Sequence, residues 1–329
     1  MDILARIAAL GGAARFSELD SSRYRLATLV ASGSLEQLDR GGYALPTAPR
    51  PIRVAVGLNG AVSCVSALRE LGYDMPGDAS VVHCSVPRHR GRKAPLPVGV
   101  RRHFETFAPG DLPRRVSLVS AAARAAVCLP YDDAVVALDR VTHAADGALR
   151  SDVVAAVGRI SRSRAAALDV DVDGRSRSRI ETEARLALRR AGLRVAAGVD
   201  VPGVGEVDLL VEGVLIVELD GYAFHSDRRT FRRDRSRART ALRLGLPTAR
   251  FSYEDSDPAH VVAEVVALLR ALDAGPSRPD PSLSGPILAA VDAVRTAATG
   301  PTSAAQGWPH LGAVDRRRLR WLADSDPPR

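Results

Sequence analysis

Aromatic side chains make up only 4% of the chain, cysteines number three, and a single lysine, Lys93, stands among 46 basic residues. Three cysteines exclude the dense disulfide framework of a small secreted scaffold. The spacing of Cys64, Cys84 and Cys128 matches neither such a framework nor the paired ligands of a zinc finger. They read as buried apolar fillers. No stretch approaches the roughly 18 uncharged apolar residues that a membrane span needs. The opening Met1-Asp2-Ile3-Leu4 carries an acid where a secretory leader carries bases. The expected location is the cytoplasm, with no membrane partner. The near absence of lysine points to GC-rich coding as the source of the arginines, so the net charge of +8 is by itself little ground for a polyanionic partner. What counts is where the arginines are concentrated.

The 329 residues are 46% hydrophobic and 26% charged, the balance of an ordinary globular chain. At about 150 residues per domain the length predicts two or three domains. Residues 1–50 read as a helix over Asp2–Leu10, a Gly11-Gly12 break, a short turn near Ser17–Asp20, and a helix capped by Ser21 or Ser22. Two strand-like runs, Leu35–Leu38 and Tyr43–Leu45, follow on either side of Arg40-Gly41-Gly42, a hairpin signal. That order predicts a winged helix-turn-helix. Pro46–Pro51 reads as a linker. An α+β middle domain over 51–174 then combines a helix at Ala61–Leu71, strands at Ser80–Val86 and Val98–Glu105, and an alanine-rich helical stretch over 116–168. From Ser178 to Leu272 the order is helix, hairpin, helix, strand, helix, an α/β layered unit. Prolines punctuate a tail over 274–329 with little power to fold.

The hairpin carries the chemistry. Over residues 206–220, side chains alternate faces, so parity sorts them. Odd positions Val207, Leu209, Val211, Leu215, Val217 and Leu219 form an apolar face. Even positions hold Leu210, Val214 and Ile216 near the turn, and Asp208, Glu218, Asp220 and Glu206 at the far end. A turn of odd length around Glu212-Gly213, with Gly213 as its left-handed last residue, puts the acids of both strands on one face. Carboxylates so placed repel one another unless a divalent cation lies between them, and Mg²⁺ accepts such oxygen donors. A solvated acidic face of an edge hairpin is the alternative.

Past the second strand, Gly221-Tyr222-Ala223-Phe224-His225 delivers a histidine. Arg228, Arg229, Arg232, Arg233, Arg235, Arg237, Arg239 and Arg243 then crowd one helical segment. Arginines beside a carboxylate cluster suit a polyanion held against a metal, and a solvated helix face is the other reading. Upstream, Ser178-Arg-Ile-Glu181 fits a capping box. Glu181 could also approach the metal through water.

Taken together, Glu181, Val-Asp208-Leu, Ile-Val-Glu218-Leu-Asp220-Gly221, His225, the arginine helix and Arg250-Phe251 resemble the very-short-patch-repair branch of the PD-(D/E)XK nucleases over residues 178–272. The resemblance implies a mixed sheet flanked by helices in a domain spanning 175–273, and Mg²⁺- or Mn²⁺-dependent hydrolysis of DNA. Asp208, Glu218 and Asp220 would hold the metal, with Glu181 nearby. Asp208, Glu218, Asp220 and His225 would be the catalytic set, and Arg228, Arg229, Arg232, Arg233 and Arg235 would seat the strand. The superfamily's usual lysine would stand at Asp220. Residues 1–50, through Gly11-Gly12, Leu19, Leu26 and Gly42-Tyr43-Ala44-Leu45, resemble the winged helix of AbiEi-type antitoxins. This likeness implies DNA contacts from Arg23 and Arg25 and admits a toxin as partner. A DNA-binding regulator or antitoxin on a degenerate nuclease fold, or a protein-binding adaptor, is the competing reading.

Overall fold

The computed structural model describes residues 2–88, 96–107, 114–145, 149–220 and 228–274. The proline-punctuated tail, apart from Ala274, therefore lies outside the described residues. The chain divides into two compact units, Met1–Gly174 and Arg175–Arg329.

The first unit begins with helix α1 (Ile3–Ala9), strand β1 (Ala13–Arg15), a 3-10 turn (Phe16–Glu18) and helix α2 (Arg23–Ala31). Strands β2 (Glu36–Leu38) and β3 (Gly42–Ala44) pair antiparallel, and β3 also pairs with β1, giving the order β1-β3-β2. Ser22 caps α2 by accepting the Arg25 N–H at 3.2 Å. Ile3, Ile7, Ala14, Leu19, Leu26, Leu35 and Tyr43 close a small core. Gly12 must be glycine: its φ is 97°, and a Cβ there would meet Ala48 Cβ at 2.9 Å.

The expected Pro46–Pro51 linker is shorter, because residues 46–49 form a turn and irregular segment and the last two residues already belong to a helix. Helix α3 (Arg50–Leu58) opens with Pro51 in its first turn, where the missing N–H costs nothing. The helix expected at Ala61–Leu71 is shorter, because Ala61–Val62 form strand β4 and helix α4 runs only from Cys64 to Glu70. Strand β5 (Val82–Pro87) lies antiparallel to β4 and parallel to β6 (Val100–Glu105), in the order β4-β5-β6. Four helices follow: α5 (Leu118–Cys128), α6 (Tyr131–His143), α7 (Arg150–Ile160) and α8 (Arg162–Asp171). The buried Ala121, Ala122, Ala123, Ala125 and Ala126 of α5 leave room for close helix approach.

The second unit is a mixed four-stranded sheet with helices on both faces. Helix α9 (Arg179–Arg190) precedes strands β7 (Val195–Val201), β8 (Gly205–Val211) and β9 (Leu215–Leu219); helix α10 (Arg228–Arg243), strand β10 (Thr248–Phe251) and helix α11 (Pro258–Ala274) complete it. The order is β10-β9-β8-β7, with β9 and β10 parallel and the other pairs antiparallel. Helix α10 makes the crossover that a parallel pair requires. On one face, Leu209, Val211, Leu215, Val217 and Leu219 pack with Ala184 and Leu188 of α9 and Val261, Val265 and Leu269 of α11. On the other, Val201, Val204, Val207, Leu210 and Ile216 pack with Ala241 of α10. Val207 thus departs from the parity expectation. It pairs with Val199, just beyond Gly198, whose φ of 54° breaks the regular alternation of β7.

Candidate functional site

The site is set by the turn between β8 and β9. Leu209 pairs with Val217, Leu210 with Ile216 and Val211 with Leu215, leaving Glu212, Gly213 and Val214 as a three-residue connection. Glu212 (φ 52°) and Gly213 (φ 72°) both take the left-handed conformation, and the Val214 N–H donates to the Val211 carbonyl at 3.1 Å. Gly213 is therefore the central residue of the connection, not its last. Val214 is the extra residue that keeps the count odd. Glu212 can bear positive φ because its neighbourhood fixes it. The Glu212 carboxylate accepts the Arg194 backbone N–H at 2.7 Å and pairs with the Arg194 guanidinium at 2.8 Å. It belongs to the turn rather than to the acidic cluster.

Continued one residue past Leu209 and Val217, the register sets Asp208 opposite Glu218. Glu218 stands beside Ile216, Arg237 and Ala241 on the side covered by α10, and Asp208 shares a hydrogen bond with it. Asp208 Oδ2 accepts the Leu219 N–H at 2.8 Å. Burial raises the Glu218 carboxyl to about 7; Asp208 and Asp220 push in the same direction, while Arg237 and Arg250 oppose it. Burial also raises Asp208, against the Leu219 N–H and a hydrogen bond with Glu218, and Asp220 adds to the rise. Glu181 is raised too, first by burial and then by the Asp208 charge, with the Arg177 N–H opposing. Asp208 is thus the electrostatic centre of the acidic group.

Glu181 forms the expected cap in altered form. Ser178 Oγ accepts the Glu181 N–H at 3.2 Å, and the Glu181 carboxylate accepts the N–H of Arg177, one residue before the cap, at 2.7 Å. Three arginines ring the acids. Arg237 of α10 lies 3.6 Å from Glu218 and donates to the Glu206 carbonyl; Arg250 of β10 lies 3.9 Å from Asp220; Arg177 pairs with Glu206. A small cleft beside Glu218 is lined by Val204, Ile216, Arg237, Ala238, Ala241, Thr248 and Arg250.

His225 lies outside the described residues. The backbone of Arg228, Arg229, Arg232 and Arg233 belongs to α10, and their side chains lie outside the described set. Arg235 is exposed. Arg23 and Arg25 are exposed on α2 of the first unit, and the Arg23 guanidinium lies 4.9 Å from the centre of the Phe16 ring.

A second group of side chains was not anticipated from sequence. In the first unit, Cys64, His83, His103 and Cys128 each offer a ligand atom, all within 4.8 Å of one another, and together could hold a metal ion. Cys64 and Cys128, expected as apolar fillers, thus sit among candidate ligands, while Cys84 is fully buried with its thiol pushed up to about 12 by burial, as a filler would be. The missed residues lie on four different elements, so no short motif joins them. The one legible signal was alternation in β5, which sets His83 and Ser85 on the face opposite Val82, Cys84 and Val86.

Comparison with protein-family models gave no match, and a search of curated proteins gave none either. No helix among the described residues is long and apolar enough to cross a membrane.

Proposed function

We propose that the second unit is a divalent-metal-dependent nuclease of the PD-(D/E)XK kind, close to its very-short-patch-repair branch, acting on DNA. The observation that carries this reading is the register of β8 and β9, which sets Asp208 opposite Glu218 with Asp220 within electrostatic reach of both. Partly buried carboxylates held this close, with the Asp208 charge raising the Glu218 pKa, form an oxygen donor set for a hard cation, so the residues fit Mg²⁺ or Mn²⁺. Asp208 and Glu218 would hold the ion, with Asp220 completing the set and Glu181 beside it. When bound, the ion polarises a phosphodiester and acidifies a water. Arg237 and Arg250, already drawn to the acids, are placed to receive phosphate oxygens once the carboxylates are engaged. His225 is assigned general acid–base work, and Arg228, Arg229, Arg232, Arg233 and Arg235 the seating of the strand.

On this reading residues 1–50 form a winged helix-turn-helix that contacts DNA through Arg23 and Arg25, residues 51–174 a middle domain, and 175–273 the nuclease domain. The protein acts in the cytoplasm. Purified full-length chain incubated with supercoiled plasmid and Mg²⁺ or Mn²⁺ should nick or linearise it, and Asp208→Asn should not. Equal survival of the plasmid with both proteins refutes the enzyme.

A second reading rests on a specific observation. Asp220 stands at the lysine position of the motif, and Arg237 and Arg250 lie against the acids. An acidic cluster neutralised by arginine is how a nuclease fold would be retained in a DNA-binding regulator or an antitoxin with a toxin partner. Such a protein binds DNA without cleaving it and binds no metal at Glu218.

A further inference from the structure

The ligand group in the first unit comes from four elements. Cys64 is the first residue of α4, His83 lies on β5, His103 on β6 and Cys128 is the last residue of α5. The parallel register sets Ser85 beside His103, so His83 and His103 project from the same face of β5 and β6, two positions out of step. Their rings sit 5.4 Å apart, with His83 Nδ1 3.2 Å from His103 Nε2. Cys128 Sγ lies 3.8 Å from His83 Nδ1. Cys64 and His83 are buried, and the other two are partly so.

These separations are those of ligands around one small ion. Zinc bonds sulfur at about 2.3 Å and imidazole nitrogen at about 2.0–2.1 Å, so a tetrahedron places two nitrogens about 3.3 Å apart and a nitrogen and a sulfur about 3.6 Å apart. The observed 3.2 Å and 3.8 Å agree with that geometry. Two thiolates and two imidazoles in a four-coordinate set favour zinc over magnesium or calcium, which take oxygen.

Two further observations point the same way. Cys64 has φ 55°, a conformation that side-chain-bearing residues other than Asn and Asp seldom hold, and it brings the thiol into the cluster from the very start of α4. Arg101 Nη1 also lies 3.4 Å from Cys128 Sγ, a cationic donor suited to a thiolate ligand.

We propose that Cys64, His83, His103 and Cys128 bind one zinc ion that holds α4, β5, β6 and α5 together. Four protein ligands leave no open position, and the burial of Cys64 and His83 leaves little access, so the site is structural. It is separate from the acidic cluster of the second unit and does not depend on the nuclease reading. The ion replaces the cross-links that a chain with three cysteines lacks.

The test uses the full-length reduced chain. Elemental analysis of the purified protein should find one zinc per chain. After chelation, titration with Co²⁺ alone should produce the intense visible bands of four-coordinate cobalt and a near-ultraviolet thiolate-to-cobalt band. Both should saturate at one equivalent, disappear on addition of Zn²⁺, and persist in Cys84→Ser and Asp208→Asn. Cys128→Ser should lose the thiolate band and the zinc. Should that variant fail to fold, wild type supplies the reading: Cys128 should resist alkylation with zinc present and react rapidly once it is chelated, with a lowered melting temperature. Absence of the thiolate band, equal alkylation with and without zinc, or a Cys64–Cys128 disulfide in the freshly purified chain overturns the proposal.

Discussion

Asp208 accepts the backbone N–H of Leu219 at 2.8 Å and so finishes, with a side chain, the ladder between β8 and β9 whose last described pair is Leu209 with Val217. The residue therefore has a structural duty beside any chemical one, and two substitutions separate them. In chelator at pH 8, Asp208→Asn keeps an acceptor oxygen and removes a charge from the acidic group. It should be at least as stable as wild type in urea. Asp208→Ala orphans the Leu219 N–H and should be less stable than Asp208→Asn by about 1 kcal/mol. Equal stability of the two variants would show that the hydrogen bond does not hold the ladder end.

The raised Glu218 carboxyl gives a pH dependence of known sign. Between its ordinary value of 4.5 and about 7, the folded chain keeps a proton that the unfolded chain releases. Stability of the metal-free protein should therefore decline as pH rises through that window, and Asp208 and Glu181, raised in the same direction, steepen the decline. Glu218→Gln should flatten the profile and be more stable than wild type above pH 7. A wild-type profile that rises from pH 5 to 7.5 contradicts the assignment.

Glu212 is an acid of the hairpin that the site does not use. Its side chain is 2% exposed, while its partner Arg194 is 48% exposed, so solvent screens the pair in part. Glu212→Ala should cost about 1–2 kcal/mol through the lost bond to the Arg194 N–H and the loosened turn. Divalent-metal affinity should stay within a few-fold of wild type, as calorimetry would check. A complete loss of metal binding would move Glu212 into the site.

On α2, Arg23 and Arg25 are the exposed cations assigned to phosphate. One acid of the neighbouring β2 is already answered, because Glu36 pairs with Arg53 of α3. DNA affinity of the full chain should fall with salt, and Arg25→Ala should reduce the slope of log affinity against log salt by about one unit. An unchanged slope in both Arg23→Ala and Arg25→Ala places the contact elsewhere.

The sequence was most legible where periodicity was strong. The helix opened by the Ser178 cap and the hairpin parity could be read because one face of each is buried, and a one-residue slip would turn five core side chains of β8 and β9 toward the acids. Val207 escaped that logic because Gly198, on the neighbouring strand, bends β7 where parity assumes a flat ladder. Strand β7 was missed because Ala196, Ala197 and Gly198 carry little strand preference; pairing with β8 supplies it. Helix α3 was hidden by prolines that a first helical turn tolerates. The Cys64–His83–His103–Cys128 group was invisible for a different reason. Its members sit on four elements, and only the parallel pairing of β5 with β6, which no local pattern announces, brings the two histidines together.

The central claim is that Asp208 and Glu218 form one divalent-metal site. Its most direct measurement is calorimetric titration of Mn²⁺ into the full-length chain, with zinc supplied so that the first unit is saturated. The account predicts saturable binding in wild type at pH 8, weakening near pH 6 as Glu218 takes up its proton, and loss in both Asp208→Asn and Glu218→Gln. Wild-type affinity retained in either variant, or no Mn²⁺ binding at all, would contradict it.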